Sequence, residues 1–256
     1  MLNFCANLSL LFTEHELADR FHAAKHNGFK AVEIQFPYSL DAQAIKDKLQ
    51  ENALKLVLFN VAADDLLQGG EGLAGVPEQR GAFRAALAQA VAYARVLSPE
   101  AVNVLPGRCL QPERLADYLQ TFKDNLRLAA DTFAELGVKT VFEAINTDDM
   151  PDFIIHSGAQ MLAVADELQH PNVFMQVDCY HLHKMGGDAA DFIARHADKI
   201  GHIQFADCPR RGQPGTGRID FERLFAAIEQ SAYSGWVGAE YKPVGTTAES
   251  LAWLRR

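Results

Sequence analysis

The chain has 256 residues, a hydrophobic content of 48% and a formal net charge of −9. That apolar fraction suits a chain with a buried core. The scattered Lys and Arg form no basic stripe of the kind that tracks a phosphate backbone, so nucleic acid is not an expected partner. No stretch approaches the roughly 18–20 apolar residues of a membrane span. The apolar run 8–12 is too short, and lacks the basic flank, for a signal-peptide core, so a soluble cytoplasmic protein is expected.

Strand-like and helix-like runs alternate along the whole chain. Residues 3–7 read as a strand, followed by a helix from Thr13, where Thr13 and Glu16 match a capping box. Leu17, Phe21 and Ala24 give that helix one apolar face, and Gly28 closes it. A strand over 31–36, a helix over 41–51 and a strand over 55–61 follow. The Gly-rich segment 68–75 lacks the Lys-Ser/Thr of a phosphate-cradling loop and reads as a mobile lid or as plain turn chemistry. A helix ending near Leu97 leads to a strand over 101–105, bounded by Pro106-Gly107.

The helix after Pro112 has the clearest period. Leu115, Leu119, Phe122, Leu126, Ala129, Phe133 and Leu136 alternate steps of four and three, a single core-facing stripe. The remaining strands are expected over 139–146, 173–179, 200–206 and 235–241. Between them come a helix over 159–168, one ending near Lys199 and one capped by Asp220. Thr246 and Glu249 form a second capping-box pattern near the end. Strict alternation implies a parallel sheet. Eight β/α units without a break in composition match a single (β/α)8 TIM barrel over 1–256 better than a doubly wound sheet, which would want a G-x-G-x-x-G after a strand. Four cysteines, Cys5, Cys109, Cys179 and Cys208, have no C-x-x-C spacing, which excludes a zinc ribbon or a small disulfide scaffold.

Glu143 stands in the middle of an apolar strand, where an unpaired carboxylate needs a partner, a proton or a cavity. Asp178, Gln204 and Glu240 interrupt the next three strands in the same way. Side chains alternate along a strand, so each of the four takes the phase of its i−2 neighbour, and barrel enzymes work at the strands' C-terminal ends. On neighbouring strands, three carboxylates and an amide oxygen converge as hard ligands, suited to Mg²⁺ or Mn²⁺ rather than zinc. The competing expectation is that each acid is separately salt-bridged.

His181 follows Asp178 at the strand-to-loop turn and offers a donor to a substrate oxygen. His183 and His202 are weaker candidates, a solvated residue and a barrel filler. Arg210 and Arg211 follow the seventh strand, and an Arg fork suits a substrate carboxylate, with Arg210 the preferred one. Lys242 is a similar candidate. Asn7, Glu33 and Asn60, near the ends of the first three strands, can line the other half of the site or serve as strand-end caps.

These residues sit in segments that resemble the hydroxypyruvate isomerase family, within the xylose isomerase-like TIM-barrel superfamily. The resemblance runs nearly end to end and is carried by FCANLSLLF, VEIQFPY, GGEGLAGVPEQR, FEAIN, VDCYHLHKM, DKIGHIQFADCPRRGQPGTGRIDF, GWVGAEYKP and TTAESLAWLRR. Gln204, where related ketose 3-epimerases generally carry histidine, is typical of this branch. The resemblance implies an isomerase of glyoxylate metabolism that interconverts hydroxypyruvate and 2-hydroxy-3-oxopropanoate. It implies Glu143 and Glu240 as catalytic acid-bases, and Glu143, Asp178, Gln204 and Glu240 as ligands of a divalent metal. His181 and Arg210 fall where related epimerases contact substrate oxygens, and Asp149 where they carry a substrate-contacting glutamate. A 2-oxo-tetronate isomerase and a ketose 3-epimerase are the near alternatives. A non-catalytic sugar-acid binding protein and an endonuclease IV-like repair protein are the distant ones, and the charge opposes the last. Nothing in the sequence selects an oligomeric state.

Overall fold

The computed structural model describes residues 2–255. Its eight strands, β1 (Asn3–Asn7), β2 (Ala31–Ile34), β3 (Lys55–Asn60), β4 (Ala101–Asn103), β5 (Lys139–Glu143), β6 (Val173–Asp178), β7 (Ile200–Phe205) and β8 (Trp236–Ala239), close in sequence order into one barrel. Every pairing is parallel, including the closing pair, where Cys5 of β1 lies opposite Gly238 of β8. The (β/α)8 barrel expected from the alternation is the fold.

Outside the barrel lie α1 (Leu17–His26), α2 (Ala42–Glu51), α3 (Arg80–Leu97), α4 (Leu115–Ala134), α5 (Gly158–Leu168), α6 (Cys179–Lys184), α7 (Ala189–His196), α8 (Phe221–Gln230) and α9 (Thr247–Ser250). Their apolar faces pack on the outward side chains of the strands to make the main core. In α4 the stripe holds at Phe122, Leu126, Ala129 and Phe133, all fully buried. Each of the Phe and Leu side chains contributes about 1.5–3 kcal/mol of burial, and Ala129 less. Leu115 leaves the stripe and is exposed, and Tyr118 is the first buried residue of α4.

A second, smaller core plugs the barrel interior: Cys5, Ala31, Val57, Leu58, Ala101 and Val141, with Phe174 and Trp236 against them. Strand alternation explains its position. Cys5, Ala31, Leu58, Ala101, Val141 and Phe174 stand two residues before Asn7, Glu33, Asn60, Asn103, Glu143 and Gln176, so an apolar layer lies directly below a polar one.

Local starts and stops differ from the sequence expectation: β2, β4, β5 and β8 stop two or three residues early, and other segments differ as well. The Thr13–Glu16 capping box does not form, and α1 begins at Leu17. Glu14 instead accepts from the Thr247 amide and hydroxyl, and the Phe12 amide donates to Thr247 Oγ1, so residues 12–15 make a turn tied to the far end of the chain. The Thr246–Glu249 box does form. The helix expected to end near Lys199 is split into α6 and α7. The Gly-rich loop is anchored on the barrel: Leu73, Ala74 and Val76 are buried, Asn125 donates to Ala74 O, and Glu71 accepts from Leu110 N and Tyr118 Oη. Gly107 has a φ of 91°, and a Cβ there would lie 2.5 Å from Glu71 O, so this approach requires glycine. Among the described residues no helix is long and apolar enough to cross a membrane.

Candidate active site

The polar layer opens at the C-terminal end of the barrel into a cavity of about 500 Å³. Glu143, Ile145, Tyr180, His181, Arg211 and Glu240 are among its walls. The strands stop here because the chain leaves the sheet at its polar residues: Glu143 and Asp178 end β5 and β6, and Glu240 follows β8 by one position. The register sets Asp178 opposite Gln204, Gln204 opposite Gly238, and Glu143 opposite Gln176.

Glu143 is buried and accepts one hydrogen bond, from Asn103 Nδ2 at 2.7 Å. Burial and the neighbouring Asp178 charge push its pKa up to about 8, against the pull of Asn103. Glu240 is better supplied. Its Oε1 accepts from Arg211 Nη2 at 2.5 Å and from Gln35 Nε2 at 3.1 Å, and its Oε2 from Gln204 Nε2 at 2.5 Å and Asn7 Nδ2 at 2.8 Å. Burial still raises its pKa well above the carboxylate range; Arg211 opposes this, and the charges of Asp178 and Glu33 add to it. Arg211 also reaches Asp178 Oδ2 at 3.5 Å and lies over the Tyr180 ring at 5.3 Å.

His181 sits in the first turn of α6 and not in a loop, because Asp178 N-caps that helix through the Tyr180 amide. Its Nδ1 faces Asn146 Nδ2 at 2.6 Å, and its Nε2 faces Asp178 Oδ2 at 3.4 Å. Burial holds its pKa at about 4, with Asp178 opposing, so the ring is neutral near pH 7. With the Asn146 N–H groups toward Nδ1, the proton belongs on Nε2, the nitrogen that faces Asp178.

Asp149 lines the cavity but is committed to protein partners: Lys184 at 2.6 Å, Tyr180 Oη at 2.7 Å and Asn146 at 3.0 Å. Burial alone would raise its pKa, and these donors outweigh that and hold it at about 2. Asn60 and Lys242 line the wall, and Arg210 lies exposed at the mouth. Arg211, one residue on, is the arginine that enters the site. Asn7 stands beneath Glu240 as its donor. His183 lies on a different surface, near Asp188 and Arg223. His202 is engaged at 2.6 Å with Glu33.

For a cation the donor chemistry is uneven. Glu143, Asp178 and His181 offer ligand atoms within 4.8 Å of one another, and Glu240 adds a carboxylate to the same cavity. Gln204 presents nitrogen: its Nε2 lies between Glu33 and Glu240, and its Oε1 accepts from Gln176 Nε2 at 2.7 Å. An amide between two carboxylates turns its donors toward them. The acids therefore fit a divalent cation, whereas His181 fits only with its Nε2 proton removed and Gln204 only with its amide turned. Asn103, Asn146, Gln35 and Tyr180 escaped the sequence reading, although Asn103 ends β4 and Gln35 directly follows β2.

Residues 21–256 match the family described as Xylose isomerase-like TIM barrel. Hydroxypyruvate isomerase of Escherichia coli (strain K12) is 40% identical over 254 residues, 99% of this chain and 98% of that one. The 2-oxo-tetronate isomerase of Pectobacterium atrosepticum is 39% identical, over 99% of this chain and 97% of its own. The crystal structure of an AP endonuclease, family 2, from Brucella melitensis superposes with a TM-score of 0.95 at 34% identity, covering 100% and 98% of the two chains. The chain therefore belongs to the hydroxypyruvate isomerase family of xylose isomerase-like TIM barrels.

Proposed function

We propose that the protein is an aldose–ketose type isomerase that interconverts hydroxypyruvate and 2-hydroxy-3-oxopropanoate by proton transfer between Glu143 and Glu240. The observation that carries this reading is that two buried carboxylates with raised pKa values face one cavity, each held by different partners. A carboxyl whose hold on a proton is raised by burial can both take and return one.

One glutamate removes a proton from C3 of hydroxypyruvate, and the electron pair forms the C2–C3 double bond of an enediolate. The hydroxyl proton on O3 passes to O2, and the other glutamate protonates C2, leaving the aldehyde at C3. His181 donates its Nε2 proton to a substrate oxygen as charge builds there. Arg211, with Arg210 and Lys242 at the mouth, supplies positive charge for the substrate carboxylate. Asn7 and Asn103 hold the two glutamates in place. A divalent ion, Mg²⁺ or Mn²⁺, would be held by Glu143, Asp178 and Glu240, with Gln204 joining through a turned amide, and would polarise the substrate oxygens and acidify the C–H bond.

A four-carbon substrate, as for a 2-oxo-tetronate isomerase, is the second reading. It is favoured by the 39% identity, over nearly the full length of both chains, to a 2-oxo-tetronate isomerase. An endonuclease reading finds less support: the charge is −9, and each group of metal-competent side chains holds a single histidine.

The test is incubation with hydroxypyruvate in D₂O, with and without EDTA. Deuterium entering the substrate together with new aldehyde supports the isomerase, and loss of both with EDTA supports the metal. Absence of both with hydroxypyruvate, but turnover of the four-carbon acid, selects the second reading. Glu143→Gln should abolish exchange while leaving the circular dichroism unchanged.

A further inference from the structure

An acidic floor repels an anionic substrate unless a cation is left over to meet it. Five cations line the cavity: Arg108, Lys184, Arg210, Arg211 and Lys242. Two of them are already paired, Arg211 with Glu240 and Asp178, and Lys184 with Asp149 at 2.6 Å. Arg210 and Lys242 are exposed, where solvent and salt screen them. Arg108 is half-buried, and among the described residues it pairs with no carboxylate. Its guanidinium is nonetheless held still. Nε donates to Pro151 O at 2.7 Å and Nη1 to Gly69 O at 2.6 Å, carbonyls of the loops after β5 and β3. The backbone is tied on both sides as well: Arg108 N donates to Glu71 O and Cys109 N to Asp152 O, each at 3.0 Å. Nη2, with two N–H groups, donates to no protein atom among the described residues.

We infer that Arg108 is a specificity-determining residue, which hydrogen-bonds the substrate carboxylate and makes the site prefer an oxo acid to a neutral ketose. The inference rests on the isomerase reading for its kinetic consequence but not for the carboxylate contact. Two neutral carbonyls orient the guanidinium without cancelling its charge, as an Asp or Glu partner would. A guanidinium has five N–H donors, so the two ties leave Nη2 for a ligand. Leu66, Leu67, Met150 and Pro151 share this stretch of wall, and a less polar surround strengthens the attraction between guanidinium and carboxylate. Arg108 stands on the β3–β5 side of the mouth, whereas Arg211 follows β7 and is occupied with the floor. An enediolate made from an oxo acid builds its charge beside the carboxylate, and a fixed cation there offsets the crowding of like charges. A neutral ketose brings no such charge and gains little from Arg108.

The binding probe is D-glycerate, which keeps the carboxylate and both neighbouring oxygens of hydroxypyruvate but cannot isomerise. By calorimetry in the presence of Mn²⁺, Arg108→Met should weaken its binding by about 10–100-fold, the weight of one hydrogen bond to a charged group. Arg108→Lys keeps the charge and should lose clearly less. Neither variant can hold both carbonyls as arginine does, so equal losses in the two assign the effect to loop pinning and overturn the inference. Unchanged binding in Arg108→Met, or no binding by the wild type, overturns it as well. The kinetic arm uses dihydroxyacetone, which is hydroxypyruvate with its carboxylate replaced by a hydroxymethyl group. The ratio of kcat/KM for hydroxypyruvate to that for dihydroxyacetone should fall by about 10–100-fold in Arg108→Met. A merely structural role would lower both alike, and a folded variant with an unchanged ratio overturns the specificity role. A wild type that binds glycerate through Arg108, yet exchanges no proton of hydroxypyruvate in D₂O, defeats the isomerase reading and leaves the carboxylate contact standing.

Discussion

Arg211 Nη2 lies 2.5 Å from Glu240 Oε1, and the same nitrogen reaches Asp178 Oδ2 at 3.5 Å. A permanent cation therefore stands between two of the acids proposed to hold a metal. Arg211 adopts a left-handed φ of 58°, and its Nε is buried without a partner, so this placement is sustained by the ion pairs and not by backbone preference. Replacing it by Met should leave two buried acids short of a counter-charge. The expected outcomes are about tenfold tighter Mn²⁺ binding by calorimetry, since a competing cation is gone, and kcat/KM lower by at least about 100-fold, in line with the ~3–5 kcal/mol cost of breaking a buried pair.

The raised pKa of Glu143 has a defined effect on stability in metal-free protein. Its folded pKa, about 8, lies above the ordinary value of 4.5. The stabilisation from its protonated form is therefore complete at low pH and is lost as pH climbs through that window. With EDTA present, the melting temperature of the wild type should fall between pH 5 and 8.5, and that of Glu143→Gln should fall less. Added Mn²⁺ should restore more stability at the upper end, where the carboxylate is free to bind it.

Asn103 gives Glu143 its one hydrogen bond from the protein among the described residues, at 2.7 Å. Asn103→Leu should raise the Glu143 pKa further and move the matching limb of the pH–rate profile to higher pH by roughly one unit, equivalent to about 1.4 kcal/mol. An unmoved limb beside an unchanged fold would assign that limb to another group.

Phe122 is fully buried in α4, with its ring 5.9 Å from that of Phe142 on β5. Phe122→Ala should cost about 3–5 kcal/mol in urea unfolding, through lost burial and the cavity left behind. It touches nothing in the site, so kcat at low temperature should stay within a factor of about two of the wild type.

Strand phase made the floor of the site legible. Alternation alone put Glu143, Asp178, Gln204 and Glu240 on inward positions of successive strands, and the barrel brings them to one layer. It did not reveal what each would bond. Gln204 reads as an oxygen ligand until Glu33 is seen on its other side, a contact made across 171 positions of sequence. Arg210 and Arg211 are indistinguishable as letters, and a positive φ at the second turns that one inward. Thr13 and Glu16 satisfy a local rule, but Thr247, at the far end of the chain, claims the turn. In each case the missing information was a long-range partner or a backbone twist, and single-sequence periodicity carries neither.

The apolar plug under the polar layer has one more consequence. Because Cys5, Ala31, Leu58, Ala101, Val141 and Phe174 fill the barrel below the acids, no substrate can gain depth by sinking further in. Extra length must be accommodated upward, among Leu66, Leu67, Arg108, Met150 and Pro151 at the rim. Descendants of this scaffold can thus exchange one chain length for another by editing loops alone, with the acidic floor inherited unchanged.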